Sequence, residues 1–580
     1  MATKRGIQYI PAIDGLRAIA VMAVIFYHLG FKWIPGGFLG VDLFFVISGY
    51  VITRLLLDSI DRSGGLDLRA FYLARARRLL PALGFMLLTT AIAVGLWAPD
   101  TIKRFLTDTP FALTGSMNWW LVGHHLDYFE EIGRPPLLQH TWSLAVEAQF
   151  YLIWPLILLV ILRFFGKKRV AIVSLAIAAI SGIALMLVSF SLDAASASKV
   201  SHVYFGTDTH SIGLFLGAAL AVSWIPQNFK TEVSKNAQNF IDGIGVFGFL
   251  GILGAFLFIN ESDPTLYKIA FPLAGLFAAA IITSVVHPAS RFAPILQNKI
   301  LLWIGERSYA IYLWHWVIFQ VTRPKVDLAG QSWALIVLRI LIVFALADIS
   351  LRYIELPVRR GVVSYWLKGL KYRTLQEKKA HTTRAIAILS LLVITISVIS
   401  VRAIGIGNEQ RREIIKNIEV GNTVVTISDD GIWLTGDSVI LGIKVALAES
   451  HTVSLVNARV GRQAPELLAE ILHDKAGAPS GPVVLDLGNN NSLTRDQVTQ
   501  IFEALKDRSL VIAVNTAVPR PWRDSNNSLI AEIASSYPNI KIVDWASISD
   551  GHPEYFAPDG VHLVGTGVAI YVEAISRHLP

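Results

Sequence analysis

Apolar segments of roughly 20 residues recur along this chain up to about residue 401, and they constrain its fold more than any other feature. A segment of that length crosses a bilayer as a helix, because a helix satisfies its own backbone polar groups in lipid. We predict ten spans followed by an eleventh that tethers a soluble C-terminal domain: 12–31, 37–56, 79–98, 143–162, 170–190, 210–225, 240–260, 267–286, 301–320, 333–353 and 384–401. The segment 101–123 is amphipathic and is expected to be interfacial or re-entrant.

The composition agrees with a membrane protein and excludes several other classes. Of the 580 residues, 53% are apolar and only 16% are charged, far from an ordinary soluble enzyme. The net charge of +8 is explained by positive residues that flank membrane segments, so we expect no nucleic-acid partner. The chain has no cysteine, which excludes disulfides and thiolate metal sites. The bilayer is the partner that the composition predicts, and the oligomeric state is left open.

The distribution of lysine and arginine predicts the orientation in the membrane. Lys4 and Arg5 precede the first span, and five arginines follow the second span: Arg62, Arg69, Arg75, Arg77 and Arg78. The alternate loop 99–142 is acidic instead. Because cytoplasmic loops are the positive ones, we expect a cytoplasmic N-terminus, and an odd number of spans then places residues 402–580 outside the cell membrane.

Two ionisable residues lie inside the first apolar segment. Arg17 and His28 are eleven positions apart, which is about 16 Å along a helix axis. An ionisable side chain at membrane depth is costly unless it faces a polar interior. The first helix is therefore expected to line such an interior, with Arg17 toward one membrane face and His28 toward the other.

The last 180 residues or so have the pattern of an α/β protein. Short β-rich runs alternate with helical patterns: VVTIS, WLTGDSV, TVSLVNA, VVLDLG, LVIAVNT and IKIVDW. This alternation predicts a parallel sheet between two layers of helices. The expected fold class is thus a polytopic α-helical membrane domain followed by an α/β three-layer domain.

Two motifs of the C-terminal domain contain the residue types of a Ser-His-Asp site. TGDSV at 435–439 places Ser438 at a strand-to-helix turn, on the carboxyl edge of the sheet where ligands bind. A helix N-terminus at that point favours a developing oxyanion. DGVHL at 559–563 supplies Asp559 and His562, an orienting acid and a base. Taken singly, the first motif is a common turn and the second a common pattern on surface helices.

In this order, and with this βα pattern, the motifs resemble the SGNH hydrolase family over residues 430–578. The resemblance implies Ser438 as the nucleophile, His562 as the base and Asp559 as its orienting acid, with no metal. It also implies an oxyanion hole formed by the amides of Ser438 and Gly461 and by an asparagine of LGNNN. Counting Gly-x-Asn from Gly488 selects Asn490, and its neighbours Asn489 and Asn491 remain alternatives.

Residues 8–360 resemble the acyltransferase-3 family through six motifs in family order. They are YIPAIDGLRAIAVMAVIFYHLG, GGFLGVDLFFVISGYVIT, FYLARARRLLPAL, TWSLAVEAQFYLIWPL, ERSYAIYLWHW and YIELPVRR. The resemblance implies that His28, in the family's Arg-x10-His spacing with Arg17, is a base or a transient acyl carrier. It also implies that Arg75 and Arg78, in the cytoplasmic loop, bind the phosphates of an acyl-CoA donor. The alternative is that these arginines only set the membrane topology.

Four further polar residues lie in matching motifs, namely Asp42, Glu147, Tyr309 and His315. The alternative role for each is to hold helices together by a buried hydrogen bond. Arg359 lies at a helix end, where topology alone explains it. The residue after Glu147 is Ala148, where the family usually carries a second glutamate. A mechanism that requires both acids is therefore not expected here.

The two resemblances together imply an O-acyltransferase of the cell membrane with no bound cofactor. The membrane domain would take an acetyl group from cytoplasmic acetyl-CoA, and Ser438 would deliver it outside to a glycan hydroxyl. The motifs GDSVILG, GRQ, VDWASIS and DGVHL most resemble those of peptidoglycan O-acetyltransferases. An O-antigen or another surface polysaccharide is the alternative acceptor.

Two alternatives belong to other classes. An export or flippase-like carrier is disfavoured by the complete set of Ser438, Asp559 and His562, and a tethered carbohydrate esterase leaves Arg17 and His28 unexplained. The expected domains are a membrane acyltransferase domain (1–360), a cytoplasmic linker (361–383), a tethering helix (384–401), a stalk (402–429) and the C-terminal domain (430–580).

Overall fold

The computed structural model describes most of the chain. The described residues are 9–124, 134–190, 197–259, 266–324, 327–328, 332–369, 372–419, 428–520, 522–557 and 559–580. Lys4 and Arg5, part of the acidic loop, and most of the run VVTIS lie outside the described residues. All the predicted site residues lie inside them.

Seventeen helices precede the first strand within the described residues. They are α1 (Pro11–His28), α2 (Gly40–Ser63), α3 (Leu68–Trp97), α4 (Ile102–Thr114), α5 (Met117–Gly123), α6 (Trp142–Phe164), α7 (Lys167–Phe190), α8 (Ala197–Phe205), α9 (Thr207–His210), α10 (Ile212–Ser223), α11 (Lys235–Phe258), α12 (Phe271–Val285), α13 (Lys299–Val321), α14 (Trp333–Ile349), α15 (Leu356–Arg359), α16 (Val362–Gly369) and α17 (Leu375–Glu419).

Each of the eleven predicted spans coincides with one of these helices. In the described part of the chain, nine helical segments are long and apolar enough to cross a membrane by length and composition. The other two predicted spans are α10, with only 12 residues, and α13, which carries Glu306, Arg307 and His315 along its length. The amphipathic segment after the third span forms the two short helices α4 and α5.

Close helix contacts hold the bundle together at glycines. α1 packs against α13 and α2, and α2 packs against α10. A Cβ added at Gly305 of α13 would collide with the carbonyl oxygen of Asp14 in α1, and one at Gly49 of α2 would collide with that of Leu214 in α10. Small residues permit such approaches between membrane helices. Gly305 therefore helps to set the distance between the two helices that carry Arg17, His28 and His315.

The predicted tether lies within a much longer helix. α17 has 45 residues, and only 6% of its most apolar window is buried inside the protein. A helix that packs so little against the bundle exposes its apolar side chains to lipid. The helix also continues through most of the segment that we expected to be a stalk, because residues 402–419 contain Ile, Glu and Arg, which a helix accommodates, and no proline.

The C-terminal domain is a parallel sheet between two helical layers. Its strands are β1 (Ile432–Gly436), β2 (Val453–Ala458), β3 (Val483–Asp486), β4 (Val511–Val514) and β5 (Ile540–Val543). Its helices are α18 (Ser438–Ala448), α19 (Ala464–Asp474), α20 (Arg495–Ala504), α21 (Arg523–Ala534), α22 (Trp545–Ile548) and α23 (Thr566–Ser576). The strand order is β2-β1-β3-β4-β5 with all neighbours parallel, which confirms the predicted fold class.

Alternation along each strand divides the core between the two faces of the sheet. Ile432 and Leu434 of β1 pack with α18 and α23 on one face, whereas Trp433 packs with α19, α20 and α21 on the other. The strand order reverses at β1, because β2 lies on one side of it and β3 on the other. Ligands bind at such a switch point, outside the carboxyl ends of the strands, and Ser438 follows β1 there.

Candidate active sites

Ser438 lies where the sheet turns into a helix. β1 ends at Gly436, and the side chain of Asp437 caps α18 by accepting a hydrogen bond from the Val439 amide at 2.9 Å. Ser438 is the first residue of α18 and is 1% exposed. The positive end of the helix dipole therefore lies at the serine, where it stabilises negative charge on an attacked carbonyl oxygen.

Asp559 and His562 form a hydrogen-bonded pair in one turn. The Asp559 carboxylate accepts from the amides of Val561 (2.8 Å) and His562 (3.0 Å), and its second oxygen accepts from His562 Nδ1 at 2.6 Å. This arrangement assigns the proton to Nδ1 and leaves Nε2 as the basic nitrogen. The carboxylate thus orients the imidazole as a base in the way that a Ser-His-Asp triad requires.

Asp559 and His562 also shift each other's pKa values. Burial lowers the pKa of His562, but its hydrogen bond to Asp559 and the charges of Asp559 and Asp437 outweigh that effect and raise it above the usual value. Burial raises the pKa of Asp559, and the bond to His562, its charge and the two amides overcome this and lower it. The aspartate is therefore ionised at neutral pH and strengthens the base.

The two atoms that a Ser-His-Asp mechanism would use are among the buried polar atoms without a hydrogen-bond partner. Ser438 Oγ and His562 Nε2 are both buried and make no hydrogen bond to any described residue. A buried polar atom without a partner is uncommon and calls for an explanation. Both atoms are thus available to a reacting group, as their predicted roles require. The Ser438–His562 hydrogen bond is not made in this structure, so base activation requires a small movement of either side chain.

The predicted oxyanion residues lie beside the serine. Gly461 occupies a tight turn with φ +75°, and Asn490 Nδ2 donates to Asp437 (2.8 Å) and to the carbonyl of Arg462 in the same turn (3.1 Å). Asn490 therefore ties the Gly461 turn to the Ser438 turn, whereas Asn491 Nδ2 donates to the carbonyl of Ser492. Both amide hydrogens of Asn490 are engaged in this structure, so it can serve an oxyanion only after one of them is released.

Two carboxyl groups, those of Asp437 and Asp486, share one amide group next to Ser438, and the sequence analysis missed this pair. Asn489 Nδ2 bridges Asp437 (3.0 Å) and Asp486 (2.9 Å), and the Tyr571 hydroxyl donates to Asp486 at 3.2 Å. Burial, and then the charge of Asp437, raises the pKa of Asp486 well above its usual value. The sequence feature that could have identified Asp486 is its position at the end of β3, on the same sheet edge as Ser438.

In the membrane domain, a cavity of about 650 Å³ brings together most of the predicted polar residues. Its lining includes Arg17, Arg75, Arg78, Glu147, Tyr309 and Arg359. Arg75 and Arg78 do not lie in a loop, as we expected, but in the first turns of α3, which begins at Leu68. The helix starts early because Asp67 caps it and because Ala, Leu and Arg favour helices.

Glu147 has two hydroxyl partners at this cavity. The hydroxyl of Ser48 donates to it at 2.5 Å and that of Tyr151 at 3.2 Å. Ala148 is not part of the lining and instead faces Gly115, where an added Cβ would lie 3.0 Å from its own. An acid at position 148 would thus lie away from the cavity, and Glu147 is the acid that faces it.

His28 and His315 meet at a second polar point, outside the lining of that cavity. His28 Nδ1 lies 3.0 Å from His315 Nε2, and His315 Nδ1 lies 2.7 Å from the Tyr312 carbonyl. A carbonyl only accepts, so His315 carries its proton on Nδ1 and accepts through Nε2. His28 is then the donor through Nδ1, and its Nε2 is the nitrogen without a proton.

The remaining predicted residue, Asp42, lies apart from both points. It is 5% exposed and contacts His210 Nε2 at 3.1 Å, while His210 Nδ1 donates to the carbonyl of Tyr204. The sequence analysis missed His210 and also His140, whose ring lies 5.9 Å from that of His315. His210 begins the predicted span 210–225 and His140 lies just before the span 143–162, and this position at the end of an apolar segment is the signal that would have identified both.

The chain is similar to known acyltransferases over both of its parts. The family model described as "Acyltransferase domain" matches residues 10–352. The chain is 32% identical to the peptidoglycan O-acetyltransferase OatA of Listeria monocytogenes, over 99% of both chains. It is 34% identical to the O-acetyltransferase OatA of Staphylococcus aureus, over 98% of this chain and 96% of that one. The C-terminal catalytic domain of OatA from Streptococcus pneumoniae is 26% identical, with 26% of this chain and 92% of that chain covered and a TM-score of 0.24.

Proposed function

Because the chain belongs to the acyltransferase-3 family and is a multi-pass membrane O-acyltransferase, we propose that it transfers acetyl groups from cytoplasmic acetyl-CoA to hydroxyls of peptidoglycan. The observation that carries this proposal is the presence, in one chain, of two hydrogen-bonded sites whose residues are suited to acyl transfer. One is the His28–His315 pair in the helical bundle, and the other is Ser438 beside the Asp559–His562 pair. A single-step esterase or a passive carrier needs only one of them.

The acceptor is proposed from the relatives. The Listeria relative is named for peptidoglycan, and it aligns with this chain from end to end. The motifs around Ser438 resemble the same class. Peptidoglycan is therefore the acceptor to test first, ahead of other surface polysaccharides.

The arginine-lined cavity supports acetyl-CoA as the donor. Arg17, Arg75, Arg78 and Arg359 converge on it, and guanidinium groups bind phosphates through paired hydrogen bonds. The pantetheine arm of CoA separates its phosphates from its thioester. α1 likewise separates Arg17 in the cavity from His28 by eleven residues, about 16 Å along the helix. Phosphates on the arginines would thus leave the thioester directed toward His28.

His28 is the group we assign to the first transfer. Its Nδ1–H donates to His315, so its Nε2 is free of a proton and directed by a fixed partner. Nε2 acts on the thioester either as nucleophile, when the C–S bond breaks and an N-acetyl bond forms, or as base toward another acceptor. In the nucleophilic route acetyl-His28 gives up its Nδ1 proton, and in the base route His28 passes on the proton taken from the acceptor; in both routes CoA leaves as the thiol with that proton. His315 is a positioning residue in this scheme, since it acts through His28.

Ser438 is the group we assign to the second transfer. Its Oγ attacks the acetyl carbonyl while His562 Nε2 takes the hydroxyl proton, which then passes to the departing group. The tetrahedral oxyanion forms at the N-terminus of α18, beside the Gly461 turn. A glycan hydroxyl next attacks the acetyl-serine, gives its proton to His562, and regenerates the Ser438 hydroxyl. The oxygen–acetyl bond to serine breaks as the ester to the sugar forms.

This scheme places the arginine cavity in the cytoplasmic half of the membrane and the C-terminal domain outside. The positive residues in the first turns of α3 and after α14 support that orientation. Acetyl-CoA is made in the cytoplasm and peptidoglycan lies outside, so transfer across the membrane requires this sidedness.

The test measures acetate released by mild base from two separated fractions, peptidoglycan and other surface polysaccharide. Cells that lack the gene are complemented with the wild type, Ser438→Ala or His28→Ala, and immunoblots match the membrane protein levels. We expect peptidoglycan acetate only with the wild type. If cells lacking the gene lose acetate only from the other polysaccharide, that polysaccharide and not peptidoglycan is the acceptor. Full acetylation with His28→Ala would refute the transfer route through the bundle, and more acetate in cells lacking the gene would indicate an esterase.

A further inference from the structure

One arginine of the membrane domain reaches directly into the catalytic turn of the C-terminal domain. Arg323 lies two residues beyond the end of α13, and its Nη1 donates to the backbone carbonyl of Asp559 at 2.8 Å. The side chain is buried, with 5% exposure. Asp559 is the residue whose carboxylate holds His562. The membrane domain thus contacts the turn that orients the proposed base.

Arg323 is itself held in a fixed orientation. Asp327 accepts from its backbone amide (2.9 Å), from Nε (3.0 Å) and from Nη2 (3.1 Å). Asp327 also accepts from Arg134, which in turn bonds Asp100 at 3.0 Å and the Gln320 carbonyl at 2.5 Å. Charged hydrogen bonds from several segments restrict a guanidinium far more than one exposed ion pair does. Nη1 is therefore directed at the C-terminal domain by a preformed network.

A second contact lies at the end of α1. Lys32 Nζ lies 3.5 Å from the Asp524 carboxylate of α21, and both side chains are exposed, at 73% and 51%. Lys32 follows His28 by four residues, and Arg323 follows His315 by eight. Six of those eight residues continue α13, about 9 Å along its axis. The C-terminal domain therefore sits over the ends of the two helices that hold the histidine pair.

We propose that Arg323 is a positioning residue that docks the catalytic turn of the C-terminal domain on the membrane domain, so that Ser438 receives the acetyl group directly from the bundle. This inference rests on the proposed function. The domain is also joined to the bundle by the chain itself, through α17, which packs against α18. Docking replaces the low effective concentration of a tethered domain with a fixed geometry.

The test compares two activities of the full-length protein in proteoliposomes. One is acetyl transfer from acetyl-CoA to peptidoglycan fragments, and the other is hydrolysis of a soluble aryl acetate, with Ser438→Ala as the background for both. Hydrolysis needs the serine but no delivery from the bundle. We expect Arg323→Ala to lower the ratio of transfer to hydrolysis at least tenfold, and Arg323→Lys to restore part of it because lysine keeps one charged donor.

Lys32→Ala is the matched control, since it removes an exposed cation from the same interface. We expect its ratio to stay within threefold of the wild type, because exposed ion pairs contribute little. If Arg323→Ala leaves the ratio unchanged, the docking role is wrong. If both activities fall in parallel, Arg323 supports only the fold of the catalytic turn, and the proposal is also overturned.

Cross-linking tests the docked geometry without any acetyl transfer, and so separates this proposal from the proposed function. The chain has no cysteine, so Lys32→Cys with Asp524→Cys introduces the only two thiols. A short bis-maleimide is expected to join them in the intact protein and to do so several-fold less when Arg323→Ala is added. Equal yields in both would refute docking through Arg323. Efficient cross-linking without transfer from acetyl-CoA would instead leave docking in place and refute the proposed function.

Discussion

Replacing His315 by phenylalanine tests whether it fixes the proton on His28. The ring stays aromatic and of similar size, but the acceptor for His28 Nδ1 at 3.0 Å is removed. The variant leaves the buried His28 N–H without its acceptor, which costs about 1–3 kcal/mol in the step that uses His28. That cost corresponds to a roughly 5- to 150-fold lower rate. His315→Gln offers a carbonyl oxygen to the same N–H, so we expect part of the rate to return.

The assay follows CoA release from acetyl-CoA in proteoliposomes with a thiol reagent. The protein contributes no background, since it has no cysteine. His287→Phe is the control, because His287 is also buried, at 6% exposure, but bonds the Ala289 amide instead of His28. We expect it to release CoA at close to the wild-type rate. A wild-type rate for His315→Phe, or equal losses in His315→Phe and His315→Gln with unchanged thermal stability, would refute the orienting role.

Three further predictions address the donor, the base and the helix packing. Arg78→Ala is expected to raise KM for acetyl-CoA about tenfold with a smaller effect on kcat, since a phosphate contact contributes to ground-state binding; a loss confined to kcat would contradict this role. The pKa of His562 is raised above its usual 6.5, and the base acts when it is neutral, so hydrolysis of an aryl acetate should increase with pH through a midpoint above 6.5. Asp559→Asn should lower that midpoint and should also lower the rate by about 10³-fold or more. Gly305→Ala is expected to lower the free energy of unfolding in detergent by about 1–3 kcal/mol, because its Cβ would collide with α1. Gly254→Ala, inside α11, meets no atom within 4 Å and should not lower it.

Local patterns were enough to predict the architecture. Each predicted span coincides with a helix, because the length of an apolar run is set by the thickness of the bilayer and is visible in the sequence. Five of the six β-rich runs form strands of one parallel sheet, and the sixth lies mostly outside the described residues. The spacing of DGVHL likewise placed Asp559 and His562 in one turn, where the side chains bond each other.

Helix ends and polar partners were harder to predict. Arg75 and Arg78 were predicted in a loop because their charge marks the edge of the membrane. They lie in α3 instead, which begins at Leu68, because arginine and its neighbours also favour a helix. Asp437 and Asp486 share the amide of Asn489 although they lie on different strand ends. Such contacts depend on which strands are neighbours. The order β2-β1-β3 is not predictable from any single segment of the sequence.

The sequence by itself determined the number of apolar helices, the α/β pattern of the C-terminal domain and the residue types capable of acyl transfer, since each depends on spacing within a short stretch. Only the tertiary structure decided which of those residues meet. His28 and His315 are 287 residues apart, and Arg323 and Asp559 are 236 apart. Their contacts arise from helix packing and domain docking, where many weak interactions between distant segments fix a geometry that local periodicity does not encode.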